Sequence, residues 1–251
     1  GGYPCDMPRI LALAEKHGLK VIEDAAHAVG SDLNGRKLGT WGQSGCFSFF
    51  SNKNMTTGEG GMLTTDDDAI AERFLRLRSH GMTSLTWDRH KGHAWSYDVV
   101  DLGYNYRIDE IRAALGLCQL AKLPRNNERR RELTQIYRDS LQELVPQVAA
   151  PFANYPGISS AHLMSVLLPA GTNRVAFMEQ MKAQGIQTSI HYPPIHTFSA
   201  YQGDRTALNE SLILTDEVGG REVTLPLYPG LTDNDVMTVI EATQKALLKP
   251  D

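Results

Sequence analysis

Apolar positions along this chain alternate between helical spacing and short β-prone runs. Met7, Ile10, Leu11, Leu13 and Ala14 recur at helical spacing and predict a helix over Asp6–His17, with Asp6 as its N-cap and Gly18 as its stop. Leu19–Asp24 is a β-prone run that ends in an acid. Helix, glycine and strand together form half of an αβ unit, the building block of parallel sheets. Functional groups of such sheets gather at the carboxyl ends of the strands, where Asp24 stands. Asn34-Gly35 predicts a turn. Phe47–Phe50 and Gly61–Thr65 read as strands, and Asp67–His80 as a helix whose apolar face is Ala69, Ile70, Phe74, Leu75 and Leu77.

The polar, His-rich stretch Gly81–Val100 predicts a long ordered loop, a feature that often carries function. Ile108–Leu144 is strongly periodic but interrupted at Leu123-Pro124, which predicts two helices or one kinked at Pro124. Arg129, Arg130 and Arg131, set between Glu128 and Glu132, read as a solvated helix face. Beyond Val145 the predicted order is strand His162–Leu168, helix Arg174–Gln184, strand Gln187–Tyr192, helix Glu210–Gly219, strand Glu222–Leu227 and helix Thr232–Leu248. Acids in the first turn of the last helix suit its macrodipole. The expectation is an α/β chain with a large domain over 1–125, built on a mixed, mostly parallel sheet. A linking helix and a smaller α+β domain occupy 126–251. The chain opens GGYPCDM and passes directly into a helix, as though beginning midway through a fold.

Composition narrows the classes. With 251 residues, 41% apolar and 22% charged, the chain can bury a substantial core and is ordinary for a soluble protein. A net charge of −4 gives no basic field, which argues against nucleic acid as a partner. No apolar run reaches the roughly 18 residues that suggest a membrane span, and no secretory pattern opens the chain. Cys5, Cys46 and Cys118 are odd in number and far apart. They fit neither a disulfide framework nor zinc-ligand spacing, so a cytoplasmic, reducing compartment and no metal site are expected.

The stretch CFSFFSNKNMTTGEGG carries one lysine, Lys53, between an aromatic strand and a glycine-rich loop. Alone, it reads as a solvated loop lysine. Asp24 alone reads as an N-cap for a following helix, and His27 as a helix-surface or satisfied core histidine. Together they suggest a chemistry. A desolvated lysine gives up its proton more readily, and the free amine forms a Schiff base with an aldehyde cofactor. A carboxylate facing the pyridine nitrogen keeps such a ring protonated and electron-accepting. Its phosphate needs hydroxyl and N–H donors. Asp24 and Ser48 are the candidates, and Ser51-Asn52 can supply the bend between Ser48 and Lys53.

Six blocks in order carry a more specific resemblance: EDAAHA, CFSFFSNKNMTTGEGGM, RSHGM, LGYNYRIDEIRAALGL, HYPPIH and LPLYPGLTDNDV. Over essentially the whole chain they resemble the DegT/DnrJ/EryC1/StrS family of pyridoxal-phosphate-dependent sugar aminotransferases, which have the fold type I architecture of aspartate aminotransferase. The resemblance implies that Lys53 is the Schiff-base lysine and proton shuttle, and Asp24 the pyridinium partner. It implies that His27 packs near the cofactor ring and that Ser48 binds the phosphate. Asn105 matches an asparagine that reaches the phosphate of the neighbouring subunit, implying a homodimer with shared sites. His191, Tyr192 and His196 match a substrate-side segment, although HYPPIH also reads as a proline-stiffened turn. The implied reaction passes an amino group from a donor, glutamate by family habit, to a keto sugar, typically nucleotide-linked.

Full-length members of that family carry a cofactor-phosphate turn, a ring-stacking residue and several sheet strands ahead of the region matched by GGYPCDM. The sequence therefore supports two readings of different classes: part of a working aminotransferase, or a non-catalytic module that dimerises or binds cofactor weakly. Relatives that dehydrate deoxysugars replace the lysine with histidine, so Lys53 favours transamination. Non-sugar cyclic ketones remain an alternative substrate class.

Overall fold

The computed structural model describes residues 1–83, 92, 96–201 and 212–248. Most of the Gly81–Val100 stretch, and the first residues of the helix predicted from Glu210, lie outside the described residues. The backbone forms two compact units. One comprises 4–124 with 156–158; the other comprises 1–3, 125–155 and 159–251.

The first unit opens with α1 (Met7–Lys16), where the Asp6 carboxylate accepts the Arg9 N–H at 3.2 Å. Next come β1 (Ile22–Asp24), β2 (Asp32–Leu33), β3 (Arg36–Lys37), β4 (Ser44–Ser48), β5 (Gly61–Thr64) and α2 (Asp68–Leu77). Asn34 and Gly35 both have positive φ, and they turn β2 back onto β3 as a tight hairpin. β1, β4 and β5 form a three-stranded mixed sheet with β4 in the centre. β1 runs parallel to β4 and β5 antiparallel to it. No helix follows Asp24. Its Oδ1 accepts the Ala26 N–H at 3.0 Å and starts a series of turns, so the carboxylate caps a turn and not a helix.

Two of the recognised blocks meet through their glycines. In RSHGM and LGYNYR the chains pair, with the His80 N–H donating to Tyr104 O at 2.9 Å and Tyr106 N–H to Arg78 O at 2.9 Å. A Cβ on Gly103 would fall 2.1 Å from Gly81 N, and one on Gly81 would fall 1.9 Å from Asp101 O. Gly81 also has φ +71, a conformation that favours glycine.

Helix α3 (Glu110–Leu144) runs unbroken for 35 residues, with Pro124 inside it. The two helices expected as one alternative are therefore a single helix, and the division between the units falls at Pro124 and Arg125. Its second half carries Leu133, Tyr137 and Leu141, four residues apart and fully buried. Those side chains pack with β6 (Met164–Leu167), β7 (Glu222–Leu225), α4 (Arg174–Ala183) and α6 (Asp233–Leu248) around Val166, Phe177, Met181, Val223 and Ile240. The remaining helix, α5 (Ile213–Arg221), leads directly into β7.

The arginine run departs from expectation. Arg130 points into the second unit, not into solvent, and its guanidinium donates to the carbonyls of His162 at 3.3 Å and Leu227 at 2.9 Å. Those carbonyls belong to irregular backbone with no strand partner in the described ladders, and a buried arginine is one way to satisfy them. Burial lowers the Arg130 pKa to about 10. Arg129, beside it, pairs with Glu132 and Asp233.

The predicted strand Gln187–Tyr192 reduces to one bridge, Ser189 with Thr224. The next rung is lost because the His191 N–H goes to the Glu222 side chain, while the Glu222 carbonyl accepts from Arg174 at 3.3 Å. Pro193 and Pro194 then have no N–H to continue a ladder.

Gly103→Ala should destabilise the chain by about 2 kcal/mol or more through backbone overlap. Gly220→Ala, whose Cβ meets nothing within 4 Å, should be near neutral. Thermal melts of the two variants check this; equal melts would show that the Gly81–Gly103 approach is not required.

Candidate active site

The site begins with the register of β1 on β4. Ile22 lies opposite Ser44, Glu23 opposite Gly45 and Asp24 opposite Cys46. The pairing closes with the Ala25 N–H donating to Cys46 O at 2.8 Å. Asp24 thus stands at the carboxyl end of a parallel pair, and β4 continues past it through Ser48 towards Lys53.

Strand alternation sends the adjacent acids Glu23 and Asp24 to opposite faces. Asp24 is exposed and Glu23 is buried. The Glu23 carboxylate accepts three backbone N–H groups, from Gly39 at 2.7 Å, Trp41 at 2.5 Å and Gly42 at 2.8 Å. This clamp ties β1 to the loop that delivers β4. Sequence reading passed over Glu23; the available signal was a second acid one residue from Asp24 and hence on the other face.

Past Ser48 the chain turns sharply. The Phe50 N–H donates to Ser48 Oγ at 3.3 Å, and the Lys53 N–H donates to Phe50 O at 3.0 Å. Phe49 is buried and pairs with both Gly60 and Thr57 through its backbone, at 2.8 and 2.9 Å, which fixes the base of the Lys53 loop. Ser48 Oγ accepts in this turn and keeps its own proton to donate. Lys53 is half-buried, and that desolvation pulls its pKa below the ordinary lysine value. The Asp24 carboxylate opposes the shift and pulls it back up. The same carboxylate, after the larger effect of burial, raises the Cys46 thiol pKa. Asp24, Cys46 and Lys53 therefore share one electrostatic neighbourhood.

His27 is half-buried within the turns that follow Asp24. Asn105 is exposed in the same unit, paired through its backbone with Ser79. It is flanked by Tyr104 and Tyr106, whose rings stack at 4.9 Å. His191, Tyr192 and His196 belong to the other unit. There His191 Nδ1 lies 2.8 Å from Thr224 Oγ1, and His196 Nε2 lies 2.7 Å from Asp216 Oδ1. Glu222 and Thr224, buried on β7, were missed by sequence reading because they sit some thirty residues along the chain from His191 (31 for Glu222).

Residues 1–244 match the model of the DegT/DnrJ/EryC1/StrS aminotransferase family, and the chain belongs to that family. The spore coat polysaccharide biosynthesis protein SpsC of Bacillus subtilis is 38% identical over 249 residues, which is 97% of this chain and 64% of SpsC. Helicobacter pylori PseC, an aminotransferase involved in the biosynthesis of pseudoaminic acid, superposes with a TM-score of 0.88 at 28% identity, over 98% of this chain and 64% of that one. Spr1654 of Streptococcus pneumoniae, in its PLP-form, gives 0.85 at 26% identity, over 98% of this chain and 66% of that one. The chain has the fold of these aminotransferases and spans about 64% of the length of the curated relatives it matches. No helix of the described residues is long and apolar enough to cross a membrane.

Glu23→Ala removes the acceptor of three N–H groups. Hydrogen bonds to a charged group contribute roughly 1.5–3 kcal/mol each, so a loss of about 3 kcal/mol or more is expected in urea denaturation. Glu23→Gln should lose less, and a loss from Glu23→Ala below about 1 kcal/mol would show that the clamp does not hold the sheet.

Proposed function

We propose that the protein to which this chain belongs moves an amino group from an amino donor, glutamate by family habit, onto a keto sugar, typically nucleotide-linked, for amino-sugar biosynthesis. The observation that carries the proposal is the electrostatic neighbourhood of Lys53 and Asp24 at the carboxyl end of a parallel strand pair, in a member of an aminotransferase family. PseC and SpsC, named for pseudoaminic acid and spore coat polysaccharide biosynthesis, support a sugar as the acceptor.

The donor set fits pyridoxal phosphate, the cofactor present in the PLP-form of Spr1654. Lys53 provides an amine whose protonated form is disfavoured by burial, as attack on an aldehyde requires. Asp24 provides an exposed carboxylate for a pyridinium N–H. Ser48 provides a hydroxyl proton for a phosphate oxygen, and His27 a ring at the edge of the site. When bound, the cofactor supplies an aldehyde carbon for amines and a ring that accepts electrons.

The chain's own groups divide the remaining work. Lys53 Nζ takes a proton from the donor's Cα, and it gives one back when the acceptor is aminated. Its lowered pKa keeps more of the amine unprotonated for the first task, and Asp24 limits that shift so that the ammonium can still form for the second. His191, Tyr192 and His196 act on the substrate side. Asn105 acts across a homodimer interface. Leu102 and Ile111, near Asn105 along the chain and exposed at 92% and 85%, are apolar side chains that a second subunit would cover.

The full-length protein mixed with pyridoxal phosphate should develop a visible absorbance band that Lys53→Ala abolishes. Persistence of the band in Lys53→Ala would overturn the assignment of the amine.

A further inference from the structure

His191 stands at the end of a short relay within the second unit. The Glu222 carboxylate is buried and holds two donors, one on each oxygen. Oε2 accepts the His191 backbone N–H at 2.9 Å, and Oε1 accepts the Thr224 hydroxyl at 2.7 Å. Thr224 Oγ1 is in turn 2.8 Å from His191 Nδ1.

A threonine hydroxyl has one proton and two lone pairs. An ionised carboxylate can only accept, so the Thr224 proton goes to Glu222. The contact between Thr224 and His191 then forms only if the proton is on Nδ1. We propose that Glu222 and Thr224 are positioning residues that hold His191 as its Nδ1–H tautomer, with the lone pair of the neutral ring on Nε2.

The surrounding groups agree with this direction. Ser165 Oγ lies 3.4 Å from Thr224 Oγ1 and can use the second lone pair. Ser189 Oγ lies 3.4 Å from His191 Nδ1, much farther than Thr224, and can share the same ring proton as an acceptor. The backbone holds the relay in place. Ser189 and Thr224 exchange both N–H bonds, at 3.1 and 2.8 Å, two residues before His191. Thr224 itself is locked in the β6–β7 ladder opposite Ser165. Glu222, Thr224 and His191 all lie within this unit. Only the use of the tautomer towards a substrate rests on the aminotransferase reading.

The preference matters because the orientation of an imidazole and its tautomer decide which partner groups it recognises. An Nε2 lone pair accepts from a sugar hydroxyl; an Nε2–H would favour a carbonyl or phosphate oxygen instead.

The test is the long-range 1H–15N correlation spectrum of the 251-residue chain labelled with 15N-histidine, at a pH where His191 is neutral. Wild type should show Nδ1 with the pyrrole-type shift and Nε2 with the pyridine-type shift. Thr224→Ser keeps the hydroxyl and should keep that pattern, whereas Thr224→Val should lose it. A wild-type His191 protonated on Nε2 would overturn the proposal without needing any variant. An unchanged pattern in folded Thr224→Val would overturn the role of the relay. Neither outcome depends on cofactor or turnover, so failure here is distinct from a missing absorbance band in the full-length protein.

Discussion

The parallel pairing of Ile22–Asp24 with Ser44–Cys46 fixes where the candidate chemistry can lie. Parallel ladders leave strand ends side by side on one edge, and here that edge holds Asp24 and, past Cys46, the turn to Lys53. Three residues of pairing are few for such a task. Glu23 reinforces them, since its buried carboxylate takes three N–H groups from the loop entering β4. Adjacent acids thus divide two duties. One holds the sheet from inside, and the other is exposed on the face proposed to carry the chemistry.

Lys53 is governed by two opposed effects. Burial disfavours its ammonium and is the larger; the Asp24 carboxylate favours it. Because the folded value is lowered, the cost of holding the charged form is present below the folded pKa and is shed as pH rises through it towards the unfolded value. In the proposed reaction the balance is useful, because Lys53 both loses and regains a proton. The second unit uses a comparable device without a shared charge. Glu222, Thr224 and His191 pass hydrogen-bond direction from a buried carboxylate to an imidazole.

Much of the fold was legible where periodicity is strong. Asp6 caps α1, Asn34-Gly35 turns a hairpin, and α2, α4 and α6 lie within a few residues of their predicted spans. Of the two readings of Ile108–Leu144, a single helix through Pro124 is the one that forms. The failures were tertiary. Arg130 lies inside because distant carbonyls need its donors, a demand no local pattern records. Gln187–Tyr192 has strand composition, but its rung at His191 is taken over by the Glu222 side chain. At the candidate site, Lys53 and Asp24 could be named from their blocks, and the fold puts the Asp24 carboxylate where its charge favours the Lys53 ammonium. Glu222 and Thr224 could not, since each meets His191 from more than thirty residues along the chain, and the only sign of Glu23 was its place on the face opposite Asp24.

The central claim is that burial and Asp24 pull the Lys53 amine in opposite directions. It is tested most directly by titrating Lys53, as its 13C-dimethylated form, by NMR in the wild-type chain and in Asp24→Asn. The account predicts a wild-type pKa below the ordinary lysine value of 10.5, and a still lower one in Asp24→Asn, where the opposing carboxylate is gone. A wild-type value at or above 10.5, or a value indifferent to Asp24→Asn, would contradict it.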